Sequence, residues 1–470
     1  MSSRQPHICI FDSVIKYFIY FIFGYALVSC VLCLCGLEFY GIAFHDEPLV
    51  CVFFIIIFFA LGKIRSPHLS HRNLVLSGFI VANVIMLTIL FSYKTRPISD
   101  AWLVYNGGRL MAEGNFDVST FDVCNYFYVF NWQIGLAWFE SLFFRIIGRP
   151  SFIALQAFNL VLINATLLLT YRLAGLVLNR KYALNSFLLM CCFYPVLVTV
   201  GQIYSNQVVT PLILLFLILT VKRRYVFAGI LLPILSFIRP IGIILFIAIV
   251  LFLIYEIVTK KIPCLKGLKR IIYFIVPCVL VSTAINLSCI YAKYTDSNVS
   301  EAKIPYFKFY QGLNIEEWVS PFPDIERFDG NLDAFNEWQR DCVIEAYIEN
   351  PGATLGNNFL KMIMFLGSFD WRFAYTYNLV IPEFSNPVLS VCVSFGWAEY
   401  AMLIVLCLFG YGVYFKRRNA DVVQILFIGM VTVYFFIEAW PSYRYEIYPL
   451  MFIFAGPGVG RFRNYLKHII

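Results

Sequence analysis

The sequence predicts an all-α polytopic membrane protein, and three observations carry this prediction. Apolar and aromatic residues make up 60% of the 470 residues, whereas charged residues make up only 14%; a soluble domain has roughly 25% charged residues. Apolar runs of about 20 residues, enough to cross a hydrocarbon core ~30 Å thick, recur along the whole chain. Backbone groups in lipid must be hydrogen-bonded internally, so these runs must be helices that cross about ten or more times.

The positions of the positive charges predict which helix ends face the cytoplasm. The formal net charge of +8 alone would allow a nucleic-acid partner, but Lys and Arg lie mainly in short turns between apolar runs, at 222–224, 260–270 and 416–418. This is the positive-inside pattern of a membrane protein. It places two long polar segments, 94–131 and 294–386, on the outer side. We therefore predict one transmembrane domain, 1–470, in contact with membrane lipid and not with nucleic acid.

The number of crossings between the two outer segments is not settled by the sequence. The apolar runs between them are odd in number, although two segments on the same side require an even number of crossings. The run 132–148 is the first candidate for a helix that does not span, because it is short and contains Glu140 and Arg145. The run 226–238 is also short, so both alternatives stay open.

The first outer segment, RPISDAWLVYNGGRLMAEGNFD, contains the clearest chemical pattern. Asp100 follows the third apolar run, and apolar residues from Trp102 to Met111 recur at helical spacing, which predicts an amphipathic helix along the interface. A carboxylate at that height meets both water and the headgroup plane, where it could deprotonate a hydroxyl group. The alternative is that Ser99 or Asp100 only caps the helix.

The run 99–114 resembles the first-loop pattern of bacterial GT-C glycosyltransferases that use polyprenyl-phosphate sugars, of the ArnT and protein-mannosyltransferase types. Four later segments resemble further elements of that family, in the family's order. They are NYFYVFNWQIGLAWFESLFFRIIG, LLPILSFIRPIGIILF, FKFYQGLN and IEAWPSYRYEIYPLMFIFAG. The matches are spread over most of the chain.

The resemblance implies a GT-C-like bundle of roughly 11 to 13 helices with amphipathic helices in both outer segments. It implies an inverting glycosyltransferase that moves a sugar from a polyprenyl-phosphate donor to a glycan, lipid or protein acceptor. Asp100 would be the catalytic base. A bacterial inner membrane, with the active site facing outside, follows from the same resemblance.

A second acidic group offers an alternative base. The short turn FHDEP also resembles the acidic first-loop signature of some GT-C mannosyltransferases, which would make Asp46 or Glu47 the base. A short polar turn needs such residues merely to stay in water. Asp100 is a single acid without an Asp-x-Asp pair, so the resemblance implies no definite cofactor and leaves a divalent metal open.

Arginine is the expected ligand of the donor phosphate, because its guanidinium makes charge-assisted, bidentate hydrogen bonds to phosphate oxygens. Arg444 lies in SYRYE, and Arg239 lies at a break between two apolar runs. Ionisable groups near membrane depth are usually functional, although both arginines could instead snorkel to headgroups. Lys361 and Arg372, which flank an apolar stretch of the second outer segment, are further candidates.

The remaining predicted substrate-binding residues accompany these groups: Tyr105, Asn106, Arg109, Gln133, Tyr443 and Tyr445. The sequence shows no P-loop or dinucleotide fingerprint, which agrees with a donor that arrives through the membrane. A transporter or flippase of lipid-linked glycans is the alternative function, and it would need charges along a central path. A polysaccharide polymerase, with a glycan-sized groove, is a second alternative.

Overall fold

The computed structural model describes residues 6–35, 48–61, 70–92, 95–121, 125–299, 301–313, 320–367, 387–418 and 421–469. Regular structure in these ranges is entirely helical. The α-helices are, in chain order, α1 (Pro6–Leu34), α2 (Pro48–Leu61), α3 (His71–Ser92), α4 (Ser99–Glu113), α5 (Tyr126–Val129), α6 (Ile134–Ile147), α7 (Phe152–Val177), α8 (Arg180–Cys191), α9 (Tyr194–Leu197), α10 (Ser205–Val221), α11 (Tyr225–Ile238), α12 (Gly242–Val258), α13 (Cys264–Tyr291), α14 (Phe307–Leu313), α15 (Pro321–Arg327), α16 (Leu332–Glu349), α17 (Pro351–Gly367), α18 (Pro387–Arg418), α19 (Val422–Phe436), α20 (Tyr448–Ala455) and α21 (Gly458–Ile469).

Five helices among the described residues are long and apolar enough to cross a membrane, and they lie in α1, α3, α7, α13 and α18. The helix α8 and the segment 194–201 could form one further span, bent by 62°. Four shorter helices, α10, α11, α12 and α19, are also apolar. The predicted all-α polytopic membrane fold is therefore confirmed, while the exact number of crossings stays a prediction.

The surface of α13 shows why lipid must be the solvent of this protein. Only 6% of the most apolar window of α13 is buried inside the protein. Val279, Leu280 and Leu287 are 57%, 66% and 60% exposed. In water such a continuous apolar face would be a strong liability, whereas in lipid it is the expected surface of a spanning helix.

The two short apolar runs that could each fail to span the membrane, 132–148 and 226–238, correspond to α6 and α11. Each helix has 14 residues, which corresponds to about 21 Å and is shorter than the hydrocarbon core. The helix α11 belongs to the shorter apolar helices, whereas α6 does not. The run 132–148 therefore stays the first candidate for a helix that does not span.

The polar segments pack against each other at one end of the molecule, which we call the loop end. The ring of Phe130 lies 5.8 Å from the ring of Phe307. Lys293, two residues after the end of α13, forms a 3.0 Å ion pair with Asp117. The Ser119 hydroxyl, and then Lys293, lower the pKa of Asp117 to about 2. This carboxylate is therefore charged at ordinary pH and holds the first loop against the end of α13.

The backbones of α6 and α11 come so close that one position accepts only glycine. A Cβ atom added at Gly135 would lie 1.7 Å from the carbonyl oxygen of Phe237. We expect Gly135→Ala to lower the free energy of unfolding by about 3 kcal/mol, because overpacking against backbone is relieved only by moving a helix. Thermal unfolding in detergent measures this effect. Gly352→Ala, where a Cβ meets nothing within 4 Å, is the control, and equal melting temperatures for the two variants would contradict the prediction.

Candidate active site

Asp100 lies in the first turn of α4, at the loop end, and is exposed. The N-cap of α4 is Ile98, with no side-chain capping hydrogen bond, so the interpretation of Ser99 or Asp100 as a capping residue was wrong. Ser99 has a φ angle of 50°, which a residue with a Cβ adopts at a cost of about 1 kcal/mol. Such backbone strain is concentrated at functional sites.

The side chains of Asp100 and Gln133 both interact with the Tyr126 hydroxyl in the segment 125–133. Burial of the ring, and then the charge of Asp100, raise the pKa of Tyr126 well above its usual value. The phenol therefore keeps its proton. Tyr204 lies close enough to add its own electrostatic effect on Tyr126.

Tyr204 is positioned near Tyr126 because buried side-chain amides hold the turn that precedes it. The Asn159 side chain donates to the carbonyls of Thr199, Val200 and Gln202. Gln156 donates to the carbonyl of Gly201 at 2.9 Å. Buried carbonyls without such donors would each cost about 1–3 kcal/mol. The network therefore fixes the start of α10, where Tyr204 and Ser205 follow one another.

Arg239 contacts the first residue of α10, Ser205. Its Nη1 donates to the Ser205 hydroxyl at 2.9 Å, and its Nε lies 2.5 Å from the carboxylate of Glu446. The guanidinium also lies 5.1 Å from the centre of the Tyr443 ring. The Arg239 side chain is 17% exposed, whereas that of Glu446 is 0% exposed. Arg239 is thus held by Ser205, Glu446 and Tyr443, and part of its side chain stays open to the surface.

Asp100 and Tyr204 both act electrostatically on Tyr126. Arg239 donates a hydrogen bond to Ser205, the residue after Tyr204. The close contact of α6 with α11 supports this arrangement, because Gln133 precedes α6 and Arg239 follows α11. A carboxylate can accept a proton and a guanidinium can bind an anion.

Arg444, the other predicted phosphate-binding arginine, lies deeper. The residue is 1% exposed, and its guanidinium lies 4.1 Å from the centre of the Tyr400 ring. Its Nε donates to the carbonyl of Pro441 at 3.2 Å. Apolar residues of α1, α19 and α20 line the small cavity next to it. The structure therefore encloses Arg444 in protein, away from the partly open position of Arg239.

Lys361 is also enclosed, and it joins the second loop to the end of α19. The residue is 2% exposed. Its Nζ donates to the carbonyl of Ile437 at 2.8 Å, to the carbonyl of Gly312 at 3.1 Å and to Asn358 at 3.3 Å. Next to this contact Lys308 pairs with Glu438, which also accepts from the Trp440 indole. These bonds hold α14 and α17 against the residues that lead to Arg444 and Glu446.

Burial gives Lys361 a measurable effect on stability. Loss of hydration, only partly offset by the charge of Glu438, lowers the pKa of Lys361 from 10.5 to about 7. Between these values the unfolded chain binds one more proton than the folded chain, so stability increases as the pH rises and is constant below the window. The increase is at most about 5 kcal/mol. We expect Lys361→Met to lack this increase in thermal unfolding measured from pH 6 to pH 10. If the melting temperatures of wild type and Lys361→Met changed with pH in parallel, the prediction would be wrong.

The other predicted residues are distributed as follows. Tyr105 is half-buried and stacks on Trp102, with 6.0 Å between ring centres. Arg109 forms an exposed 3.4 Å pair with Glu113 and lies about 14 Å along α4 from Asp100. Asn106 is half-buried on the same helix. Tyr443 lies under Arg239, and Tyr445 is buried. Gln133 and Tyr443 are thus beside the site, whereas Tyr105, Asn106 and Arg109 lie further along α4.

Three predicted residues lie outside the described residues, namely Asp46, Glu47 and Arg372. Their roles stay predictions. Within the described part of the chain, no three His, Cys, Asp or Glu side chains come together as a metal site would require. The question of a divalent metal therefore stays open.

Sequence reasoning missed Tyr126, Tyr204, Ser205 and Glu446. A signal was present for two of them, because YSNQ begins a helix with a polar group of the kind that precedes an apolar run. Glu446 stood within SYRYE, but nothing local distinguished it from Arg444. Its pairing with Arg239 joins two distant parts of the chain and has no local signature.

The sequence matches no protein-family model and no curated protein. Among solved structures, the chain is similar to the crystal structure of the Archaeoglobus fulgidus oligosaccharyltransferase tethered to an acceptor peptide containing the NVT sequon. The identity is 14%, and the TM-score is 0.46. The similarity covers 82% of this chain and 49% of that chain, so this protein spans about half the length of that enzyme.

Proposed function

We propose that this protein is an inverting membrane glycosyltransferase that moves a sugar from a polyprenyl-phosphate donor to a hydroxyl acceptor on the outer side of the membrane. One observation carries the proposal. Arg239, the predicted phosphate ligand, bonds Ser205 at the start of α10, and the predicted base Asp100 acts on Tyr126, as does Tyr204 of the same helix start. The resemblance of five separate sequence segments to GT-C enzymes supports it independently.

The chemistry needs one base and one cation. Asp100 accepts the proton of the acceptor hydroxyl as the hydroxyl oxygen attacks the anomeric carbon. A new carbon–oxygen bond forms on one face of the sugar while the bond to the phosphate oxygen breaks on the other. Polyprenyl phosphate leaves with the electron pair and becomes a dianion. This displacement inverts the anomeric centre.

Arg239 stabilises the leaving phosphate. Its carboxylate partner Glu446 and its acceptor Ser205 fix the guanidinium before the donor arrives, so little reorganisation is needed during the reaction. Ser205, which Arg239 bonds, is the first residue of α10, and helix N-termini favour phosphate. Arg444 keeps a supporting role in this proposal, because it is enclosed among Tyr400 and Pro441. From there its bond to the Pro441 carbonyl stabilises the turn Pro441–Glu446.

The decisive experiment measures transfer of radiolabelled sugar from polyprenyl-phosphate donors by the purified protein in detergent or vesicles. Release of polyprenyl phosphate together with a labelled acceptor is the expected result. The assay is run with and without EDTA, which decides the metal question. Absence of release with every donor and crude acceptor would overturn the proposal.

One observation favours the alternative of a transporter. Glu399 lies within the span of α18, and its carboxylate accepts the amide of Tyr194 at 2.6 Å, beside the break between α8 and α9. Carboxylates and broken helices at membrane depth are typical of transporters. Movement of a lipid-linked glycan across reconstituted vesicles without release of polyprenyl phosphate, abolished by Glu399→Gln, would establish that function instead. Chain elongation of a glycan would indicate a polymerase.

A further inference from the structure

A short connector, residues 437–440, joins α19 to the 3₁₀ turn that follows it. The second loop holds the first two residues of this connector. Lys361 of α17 donates from Nζ to the carbonyl of Ile437 at 2.8 Å. The amide of Glu438 donates to the carbonyl of Lys308 in α14 at 2.8 Å, and the side chains of the same two residues form an ion pair. The connector is thus bonded to the loop through both backbone and side chains.

The backbones of α14 and of the connector also touch. A Cβ atom added at Gly312 would lie 2.8 Å from the carbonyl oxygen of Phe436 and 2.9 Å from the carbonyl carbon of Ile437. Trp440, at the end of the connector, is 6% exposed, and its indole donates to the Glu438 carboxylate. A shift of α14 would therefore move the connector with it.

The far end of the connector reaches the candidate active site. Glu446 lies in the 3₁₀ turn and pairs with Arg239. The side chain of Asn206, near the start of α10, donates to the carbonyl of Ser442 in the same turn at 3.1 Å. One stretch of chain therefore joins the second loop to the partner of the predicted phosphate ligand.

We propose that Glu438 is a positioning residue, whose pair with Lys308 sets the turn that carries Glu446 and, through Glu446, the guanidinium of Arg239. The inference rests on the proposed function. Glu438 is 6% exposed, and a carboxylate at this depth is stable only beside a cation and hydrogen-bond donors. Glu438 therefore keeps to the place that Lys308 gives it. A misplacement of about 1 Å caused far from the chemistry can cost about 100-fold in rate, so this remote pair affects turnover.

The test replaces Glu438 with glutamine, which still accepts from the Trp440 indole but loses the pair with Lys308. The Lys308 side chain is 37% exposed and can stay in water, so the protein should fold. We expect Glu438→Gln to lower kcat about 10- to 100-fold. The KM for the donor should not change, because Arg239 acts on the charge that develops as the phosphate leaves.

Three further variants complete this comparison. Lys308→Gln should lower kcat to a similar extent, whereas Lys308→Arg keeps the charge beside Glu438 and should retain wild-type kcat. Asp296→Asn is the matched control, because Asp296 also pairs with a lysine of the second loop, Lys303, at 2.8 Å. It should match the wild type. A loss in Glu438→Gln that Lys308→Gln does not share would overturn the inference.

A double variant separates positioning from simple support of the fold. In the Arg239→Gln background, Glu438→Gln should cause no further loss of kcat, because Glu438 acts only through Arg239. A further tenfold loss in this background would overturn the inference, as would wild-type kinetics for Glu438→Gln. A higher donor KM with an unchanged kcat would also overturn it, since that pattern indicates direct contact with the donor.

Melting temperatures test the same link without any substrate. Glu438→Gln and Arg239→Gln should each lower the melting temperature. The double variant should lower it by clearly less than the sum of the two shifts, because the first change already releases the turn. Shifts that add would overturn the inference. An inactive wild-type protein that shows the smaller combined shift would remove the proposed function and leave the link between loop and turn in place.

Discussion

Asp100→Asn is expected to lower kcat by about 100- to 10,000-fold, the usual contribution of a general base, while donor binding survives. Asparagine has the shape of aspartate but cannot accept the acceptor's proton. Because Asp100 is exposed and asparagine keeps its shape, the substitution should leave the fold intact. Sugar transfer and donor binding are measured side by side on the same preparation.

Asp333→Asn is the control for this variant, since Asp333 is also an exposed carboxylate in the first turn of a loop helix, α16. It should retain full activity. Full activity of Asp100→Asn would refute the assignment of the base. Attention would then move to Asp46 and Glu47, which are tested by Asp46→Asn and Glu47→Gln in the same assay.

Arg239→Gln is expected to lower kcat by about 100- to 1,000-fold, as does the loss of one preorganised donor at a developing charge. Arg239→Lys should recover only part of this loss, because lysine lacks the planar fork that bonds Ser205 and Glu446 together. The control is Arg340→Gln, whose exposed pair with Asp341 at 3.0 Å should matter little to activity or stability.

The single Arg239 variant also leaves Glu446 buried without its partner, which should destabilise the protein by about 3–5 kcal/mol. Arg239→Gln combined with Glu446→Gln removes both charges and should restore most of the stability. Activity should stay low in this double variant, because the phosphate still lacks its cation. Recovery of activity together with stability would show that Arg239 only holds the fold.

Local patterns in the sequence were enough to predict the helical membrane fold and several of its parts. The long apolar runs became α1, α3, α7, α13 and α18, because lipid permits only backbone that is bonded within itself. The amphipathic pattern that follows Asp100 and the one at 332–348 became α4 and α16, since helical spacing alone sorts apolar from polar faces. The face that α4 buries was less predictable: Val104 and Met111 are buried, while Trp102 and Leu103 are exposed.

By itself, then, the sequence determined the membrane fold, the place of Asp100 at a helix start and the two arginines as candidates. Only the tertiary structure decided which groups meet. Arg444 and Glu446 lie two residues apart in the 3₁₀ turn Pro441–Glu446, where three residues complete a turn, so they face different sides. One is enclosed against Tyr400, and the other reaches Arg239. Pairing between distant segments depends on helix packing and close backbone approach, as at Gly135, and no local pattern encodes it.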